Sequence, residues 1–450
     1  MWSDSDDQTL VRVMRAVNSQ WGSGRRVAAL KNYLRTKTPR LFMRLKAGFG
    51  RIEDEKTWMR LLSSQERDDL KLVRHSDPAP EEIAENRRLN ANFLASSDPV
   101  RSINWYIPAM VHPLYGGVQT ILRFASRLQD CHGVEARIVL FDYGHSDPDQ
   151  LRKRMESAFP TSAPQVFFHP SSRSEEAPVA DVCVASSWPS AYLVSRLNNT
   201  RAKFYMIQDY EPLFFEAGTR FGLADATYRL GLLRLVNSPG LLEWIKRLHG
   251  EGGTAFVPSV DASLYYPDND KQVDRPYVKI FFYGRPNNAR NGFILGIEAL
   301  KRLKQRYGER VRIVAAGEDW DPRTYGAGGL IENLGRLTTM HEVAEVYRSC
   351  DVGLVFMFTP HPSYQPLEFM ASGCAVVTNK NSANQWLLRH EENAILCEPT
   401  LEGVAQAVGR LVEDNALRQR LREVGLKSVA QKSWDDTIDE ACRRAGLLHG

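Results

Sequence analysis

Between residues 101 and 445, short β-branched and aromatic runs alternate with longer segments whose apolar positions recur every three or four residues. Ile103-Asn104-Trp105-Tyr106-Ile107-Pro108 reads as a strand. Gly116-Gly117 then opens a helix whose Val118, Ile121, Leu122, Phe124, Ala125 and Leu128 share one apolar side. Further strands are predicted at residues 136–141, 165–168, 181–186, 203–207, 235–237 and 255–257. A second series begins with a strand at 278–283 and continues with helix 294–307, strands 311–315 and 331–334, helix 340–350 and strand 352–358. It ends in the stretch 361–379, with a short helix around Glu368, a stop at Gly373 and a β-branched strand. Such alternation predicts an α/β fold of parallel βαβ units with right-handed crossovers. Two units in tandem, joined near residues 266–270, leave a cleft between them. Doubly wound sheets bind ligands at the carboxyl ends of their strands, so the cleft is the expected site.

Residues 1 to about 75 have a different pattern, that of charged helices in which Leu30, Leu34, Leu41 and Leu45 recur at helical spacing. Charge sharpens it: residues 8–51 hold eleven Lys or Arg and no Asp or Glu. Three readings fit: a helical subdomain with solvated arginines, a basic amphipathic surface for anionic lipid headgroups, or a nucleic-acid contact. No recognisable nucleic-acid motif supports the third. The polar stretch from His75 to Asn90, with Asp77-Pro78-Ala79-Pro80, reads as a connection to the next domain.

Composition adds mainly exclusions. The 450 residues are enough for two or three full-sized cores, and a net charge of +4 names no partner. Six cysteines without paired spacing predict buried, reduced thiols in a cytoplasmic protein. Neither zinc-type Cys and His clusters nor an apolar run long enough for a membrane span is present, and the first 30 residues are too polar for a signal-peptide core.

Four places in the second unit can carry chemistry. Gly284-Arg285-Pro286-Asn287-Asn288-Ala289-Arg290-Asn291-Gly292 follows a strand and precedes a helix, so Arg285 and Arg290 could grip a diphosphate. Asn333-Leu334-Gly335-Arg336-Leu337 ends a strand in a glycine turn that could bring bare backbone to a nucleobase. His361-Pro362-Ser363-Tyr364 lies at another strand end. Glu368, one turn into the next helix with Leu367 beside it, could accept bonds from two ribose hydroxyls. Each has a bland alternative: solvated arginines, an ordinary turn, or a glutamate offsetting a helix dipole.

Together these four places resemble the donor half of family 4 of the retaining glycosyltransferases, over about residues 101–445. Pro113-Leu114-Tyr115-Gly116-Gly117-Val118-Gln119 resembles the family's glycine-rich loop, which implies that Gly116 and Gly117 approach the donor phosphate. Tyr205 to Phe214, with His361 to Tyr364, is similar to rhamnosyltransferases that build bacterial surface glycans. The resemblance implies a GT-B fold of two Rossmann-like domains. It divides the chain into a basic helical region (1–90), an acceptor domain (91–267), a nucleotide-sugar domain (268–425) and a final helix returning to the first domain (426–450). It further implies a retaining, metal-independent transfer of L-rhamnose from dTDP-β-L-rhamnose to an oligosaccharide or lipid-linked glycan, without cofactor, on the cytoplasmic face of the membrane. Arg285, Arg290 and Asp209 would be catalytic, and His112, Tyr115, Tyr210 and Glu211 would meet the acceptor.

Two positions depart from the family pattern. Asn291 stands where a lysine is usual, and Arg290 would supply that cation. Pro360, beside His361, replaces the first glutamate of the usual pair. These departures keep two alternatives in view: a transferase for another nucleotide sugar, and a non-catalytic glycan- or partner-binding module of an assembly complex.

Overall fold

A computed structural model describes residues 62–108, 116–142, 153, 165–170, 178–250, 252–268, 275–361, 363–430 and 433–449. The chain divides into two compact units, residues 1–74 and 75–450. The basic block at 8–51, and His112, Tyr115 and Pro362, lie outside the described residues. The first unit contributes most of helix α1 (Ser64–His75), which buries none of its residues.

The second unit opens with α2 (Pro80–Ala95), where a connection was expected. Two of its asparagines, polar residues typical of a linker, are buried against the first sheet's neighbours. Asn86 donates to the Leu230 carbonyl at 2.9 Å, and Asn90 exchanges hydrogen bonds with the backbone of Lys203. The Lys203 ammonium donates to Asn86 Oδ1 at 2.7 Å and to the Ser195 carbonyl at 2.8 Å. Polar groups so satisfied can be buried without large cost. The 1–90 boundary therefore cuts through a helix.

The first sheet comprises β1 (Ser102–Pro108), β2 (Glu135–Asp142), β3 (Gln165–Pro170), β4 (Val182–Ala185), β5 (Ala202–Ile207), β6 (Leu233–Asn237) and β7 (Thr254–Phe256). They lie in the order β3-β2-β1-β4-β5-β6-β7, with every pairing parallel. The helices that follow are α3 (Gly116–His132), α4 (Trp188–Ser195), α5 (Thr219–Ala226) and α6 (Pro239–His249). The second sheet holds β8 (Val278–Gly284), β9 (Val311–Gly317), β10 (Glu332–Asn333), β11 (Val352–Leu354), β12 (Ala375–Asn379) and β13 (Ala394–Cys397). Its order is β10-β9-β8-β11-β12-β13, again parallel throughout. With it run α7 (Phe293–Tyr307), α8 (Met340–Ser349), α9 (Gln365–Ala371), α10 (Leu401–Glu413) and α11 (Asn415–Val429); the last helix, α12 (Trp434–Arg444), returns to the first sheet.

Strands β4, β5 and β12, mostly apolar, are buried along their whole length, as parallel strands covered on both faces must be. Strand β11 stops at Leu354, short of the expected 358. Beyond it the backbone is held by side chains: Asn379 bonds both polar groups of Met357, and Asn291 donates to the Phe356 carbonyl. The unit has separate cores against the two sheets, and α12 belongs to the first of them through Trp434, Ile438, Ala441 and Cys442. Arg127 of α3 anchors α12 through Asp439 at 2.7 Å and Asp435 at 3.1 Å. All six cysteines are free; five are buried and Cys131 is exposed. Among the described residues no helix is long and apolar enough to cross a membrane, and no group of three or more His, Cys, Asp or Glu could hold a metal.

Candidate active site

Strand order reverses between β1 and β4 and between β8 and β11. A crevice forms at such points because the connections leave toward opposite faces. Arg285 follows β8 directly, and the chain beyond β11 leads to His361 and α9. The geometry of each candidate is set there.

Arg285 is held from below. Its Nε donates to Glu318 Oε1 at 3.2 Å and its Nη1 to the Tyr283 hydroxyl at 3.3 Å. Glu318, 8% exposed, accepts with its other oxygen from the Asn287 backbone and side-chain amides at 3.1 and 3.0 Å. One buried carboxylate thus organises the turn that carries Arg285. Gly317 leaves it room: at φ +136°, a Cβ there would lie 2.9 Å from Arg285 Cγ.

Arg290 reaches toward the first sheet. Its guanidinium lies 4.3 Å from the centre of the Phe214 ring, and its Nε is 4.0 Å from Asp209 Oδ2. That same Asp209 oxygen accepts from the Thr359 hydroxyl at 2.9 Å, while Oδ1 accepts from the Tyr210 amide. Asp209 and Arg290 therefore meet across the cleft, with Thr359 as a crosspiece. Asn291 is 2% exposed and tied to the Phe356 carbonyl, so it serves the packing of the turn.

The loop before α9 is sorted by its hydrogen bonds. His361 is 9% exposed, and its Nδ1 accepts from the Ser363 amide at 3.0 Å. Burial pushes the imidazole down to about 4, with Asp209 opposing and Arg290 adding to the shift. Ser363 adopts φ +62°, and its hydroxyl donates to Gln365. The Tyr364 hydroxyl lies 2.6 Å from Thr120 Oγ1 and accepts from Asn237 Nδ2 at 2.7 Å. Thr120 in turn donates to the Gly116 carbonyl. The hydroxyls of Ser363 and Tyr364 are thus engaged within the protein. Gly116 is close-packed, since a Cβ would lie 3.0 Å from the Tyr364 ring. The Gly117 carbonyl accepts from Gln208 at 2.9 Å.

Glu368 is half-buried on α9, and burial raises its carboxyl to about 7 against the lowering effect of Tyr265 and Arg123. The Leu367 side chain is core, 3% exposed. At the turn after β10, Gly335 (φ +70°) gives its carbonyl to the Gly317 amide and its own amide to Asn333. The Arg336 amide donates to Asp319, its side chain is exposed, and Leu337 packs on the core. The amides offered to a nucleobase at Gly335 and Arg336 are therefore already engaged.

Two acceptor candidates face inward. Tyr210 is 4% exposed, stacks on Tyr228 at 5.3 Å and donates to Asp225 at 2.7 Å. Glu211, 7% exposed, accepts from the Trp188 amide at the start of α4 at 2.6 Å. Burial lifts its carboxyl to about 8 against that bond. In this arrangement Tyr210 is part of an aromatic stack and Glu211 bonds the first amide of α4.

Sequence reasoning missed Glu318, Thr359, Gln208, Asn237 and Thr120. Glu318, Gln208 and Asn237 sit at the carboxyl ends of β9, β5 and β6, and that position is the signal that could have found them. Thr359 and Thr120 have no such mark.

Two parallel Rossmann-like sheets, with Arg285 and Arg290 on the turn after β8 at the second sheet's switch point, make a GT-B fold. The WsaF N-terminal domain family matches residues 102–236 and the WsaF C-terminal domain family residues 278–409, together more than half of the chain. The chain belongs to this glycosyltransferase family. It is 41% identical over 378 residues to the O-antigen biosynthesis protein RfbC of Myxococcus xanthus, covering 83% of this chain and 29% of that protein. It is 28% identical over 247 residues to the lipopolysaccharide core biosynthesis glycosyltransferase LpsE of Rhizobium meliloti (strain 1021), covering 49% of this chain and 66% of LpsE. The chain thus spans less than a third of the first relative's length and 66% of the second's. Among solved structures, Anabaena HepE in complex with UDP and glucose superposes with a TM-score of 0.60 at 17% identity, covering 76% of this chain and 98% of HepE.

Proposed function

We propose that the chain transfers L-rhamnose from dTDP-β-L-rhamnose to a growing bacterial surface glycan, with retention and without a metal ion. The observation that carries the transferase reading is the arginine pair: Arg285 oriented by buried Glu318, and Arg290 opposite Asp209, both on the turn after β8. The relatives named for O-antigen and lipopolysaccharide core biosynthesis support the surface-glycan class. The sugar rests on the resemblance carried by Tyr205 to Phe214 and His361 to Tyr364.

In this mechanism the bond from the anomeric carbon to the β-phosphate oxygen breaks, and negative charge grows on the diphosphate. Arg285 and Arg290 stabilise that charge, an effect that mutation of a single donor commonly reveals as about 10²–10³ in rate. The acceptor hydroxyl attacks from the same face, and its proton passes to the departing phosphate oxygen. Asp209, fixed by Thr359 and the Tyr210 amide, orients a sugar hydroxyl. The acceptor is an oligosaccharide or lipid-linked glycan at the cytoplasmic membrane face, and residues 8–51 make a peripheral contact with anionic lipid.

A thermal-shift screen of nucleoside diphosphates, followed by turnover with the matching donors, tests the donor. A dTDP-selective shift and dTDP release from dTDP-rhamnose with a rhamnoside acceptor are expected. Selective response to another nucleotide sugar would replace rhamnose, and the absence of any nucleotide affinity would favour a non-catalytic glycan-binding module. Flotation with anionic liposomes tests the membrane contact; equal flotation of a chain lacking residues 1–75 would refute it.

A further inference from the structure

The loop from His361 to Tyr364 offers three described polar side chains near the cleft, and their hydrogen bonds separate them. The Ser363 hydroxyl is given to Gln365, and that of Tyr364 is shared between Thr120 and Asn237. His361 alone of the three keeps a side-chain polar atom without a partner: its Nε2 is buried and makes no hydrogen bond. Its other nitrogen accepts from the Ser363 amide, which fixes the proton on Nε2. The ring is held further by its own backbone, whose amide donates to the Thr359 carbonyl at 2.7 Å. Asn381 donates to that same carbonyl at 2.7 Å.

Arg290 Nε, 4.0 Å from Asp209 Oδ2, makes an ion pair there but no hydrogen bond. On the facing wall Gln208 Oε1, beside Gly117, is buried without a donor. Buried donors and acceptors left unmatched cost stability unless a bound molecule completes them. His361 stands close enough to Asp209 and Arg290 for both to act on its imidazole, and Gln208, after β5, belongs to the opposite half.

We propose that His361 is the specificity-determining residue of this loop, its Nε2–H donating a hydrogen bond to an oxygen of the transferred sugar. The inference rests on the reading of the cleft as a nucleotide-sugar site, and it assigns a direction to one contact there. A carboxylate at this place could only accept from a sugar hydroxyl; His361 only donates. The polarity of recognition is inverted relative to a glutamate, and the sugar oxygen read by His361 is read through its lone pair. The ring is neutral throughout the neutral pH range, so this contact does not switch with protonation there.

Calorimetry on the full chain without acceptor tests the assignment, using dTDP and dTDP-rhamnose as probes. His361→Ala and His361→Glu should weaken dTDP-rhamnose by about 10-fold or more, the scale of one buried hydrogen bond to a neutral group. His361→Gln, which keeps an N–H donor, should stay within about 3-fold of the wild type. All three should bind dTDP as the wild type does, which also shows that they fold. Retained dTDP-rhamnose affinity in His361→Glu or His361→Ala would overturn the proposal, as would equal loss for dTDP and dTDP-rhamnose. If the wild-type chain instead selects another nucleotide sugar, the rhamnose reading fails on its own. The same series with that sugar and its free diphosphate then decides the role of His361.

Discussion

Removing one oxygen, by Tyr364→Phe, probes how the two halves of the cleft are joined. The Tyr364 hydroxyl sits in a directed chain, because Thr120 commits its proton to the Gly116 carbonyl. Thr120 Oγ1 must then accept from Tyr364, which in turn accepts from Asn237 Nδ2. The substitution deletes two bonds of 2.6 and 2.7 Å. The ring's own packing, edge-on to Trp434 at 5.9 Å and against Gly116, is preserved. A net loss of about 1 kcal/mol per bond is the starting estimate. Asn237 raises it: its Oδ1 is already buried without a partner, so its amide would lose a further contact. Together about 2–3 kcal/mol of stability should be lost. Urea unfolding of the wild type, Tyr364→Phe, Thr120→Val and the double variant measures it. Thr120→Val breaks the same chain, so the single effects should overlap by about 1 kcal/mol in the cycle. A change below about 0.5 kcal/mol, or strict additivity, would refute the hydroxyl as a tie between the halves.

Other outcomes follow from the same geometry. Glu318→Gln leaves one acceptor oxygen for the donors of Arg285 and Asn287; turnover should fall about 10-fold and stability by about 1–2 kcal/mol, and an unaltered kcat would refute the positioning role. Glu211 has its carboxyl raised from 4.5 to about 8, so the folded state binds the extra proton and stability falls as pH rises through that window. Measured as the difference from Glu211→Gln in urea unfolding, this fall should show between pH 5 and 8; a flat difference would sink it. Gly317→Ala places a Cβ against Arg285 at a positive φ, and should cost about 1–3 kcal/mol together with activity. Gly240→Ala would drive a methyl into the Ala383 carbonyl, where α6 meets the second half. Reduced donor affinity is expected by calorimetry, and unchanged affinity would separate that contact from the site.

The strand–helix alternation after residue 101 was legible because parallel strands covered on both faces need continuous apolar runs, and Val182–Ala185 and the Ala375-Val376-Val377 part of β12 are such runs. Arg285, Arg290, Asp209 and His361 were legible as candidates because each follows a strand at its carboxyl end. Helix α2 was not: Asn86 and Asn90 look like linker residues until the backbone carbonyls they bond, more than a hundred positions away, are in place. Nor was the inward turn of Tyr210 and Glu211, since their partners Tyr228 and Trp188 come from different segments.

By itself, then, the sequence determined the layers, the strand ends and the residue types that crowd them, because these depend on local periodicity. The tertiary structure decided which of those side chains have atoms left for a ligand. Ser363, Tyr364 and Glu211 are occupied by neighbours, whereas His361 retains one N–H. A hydrogen-bonding group's availability depends on what packs around it, and that is set by chain segments far apart in sequence.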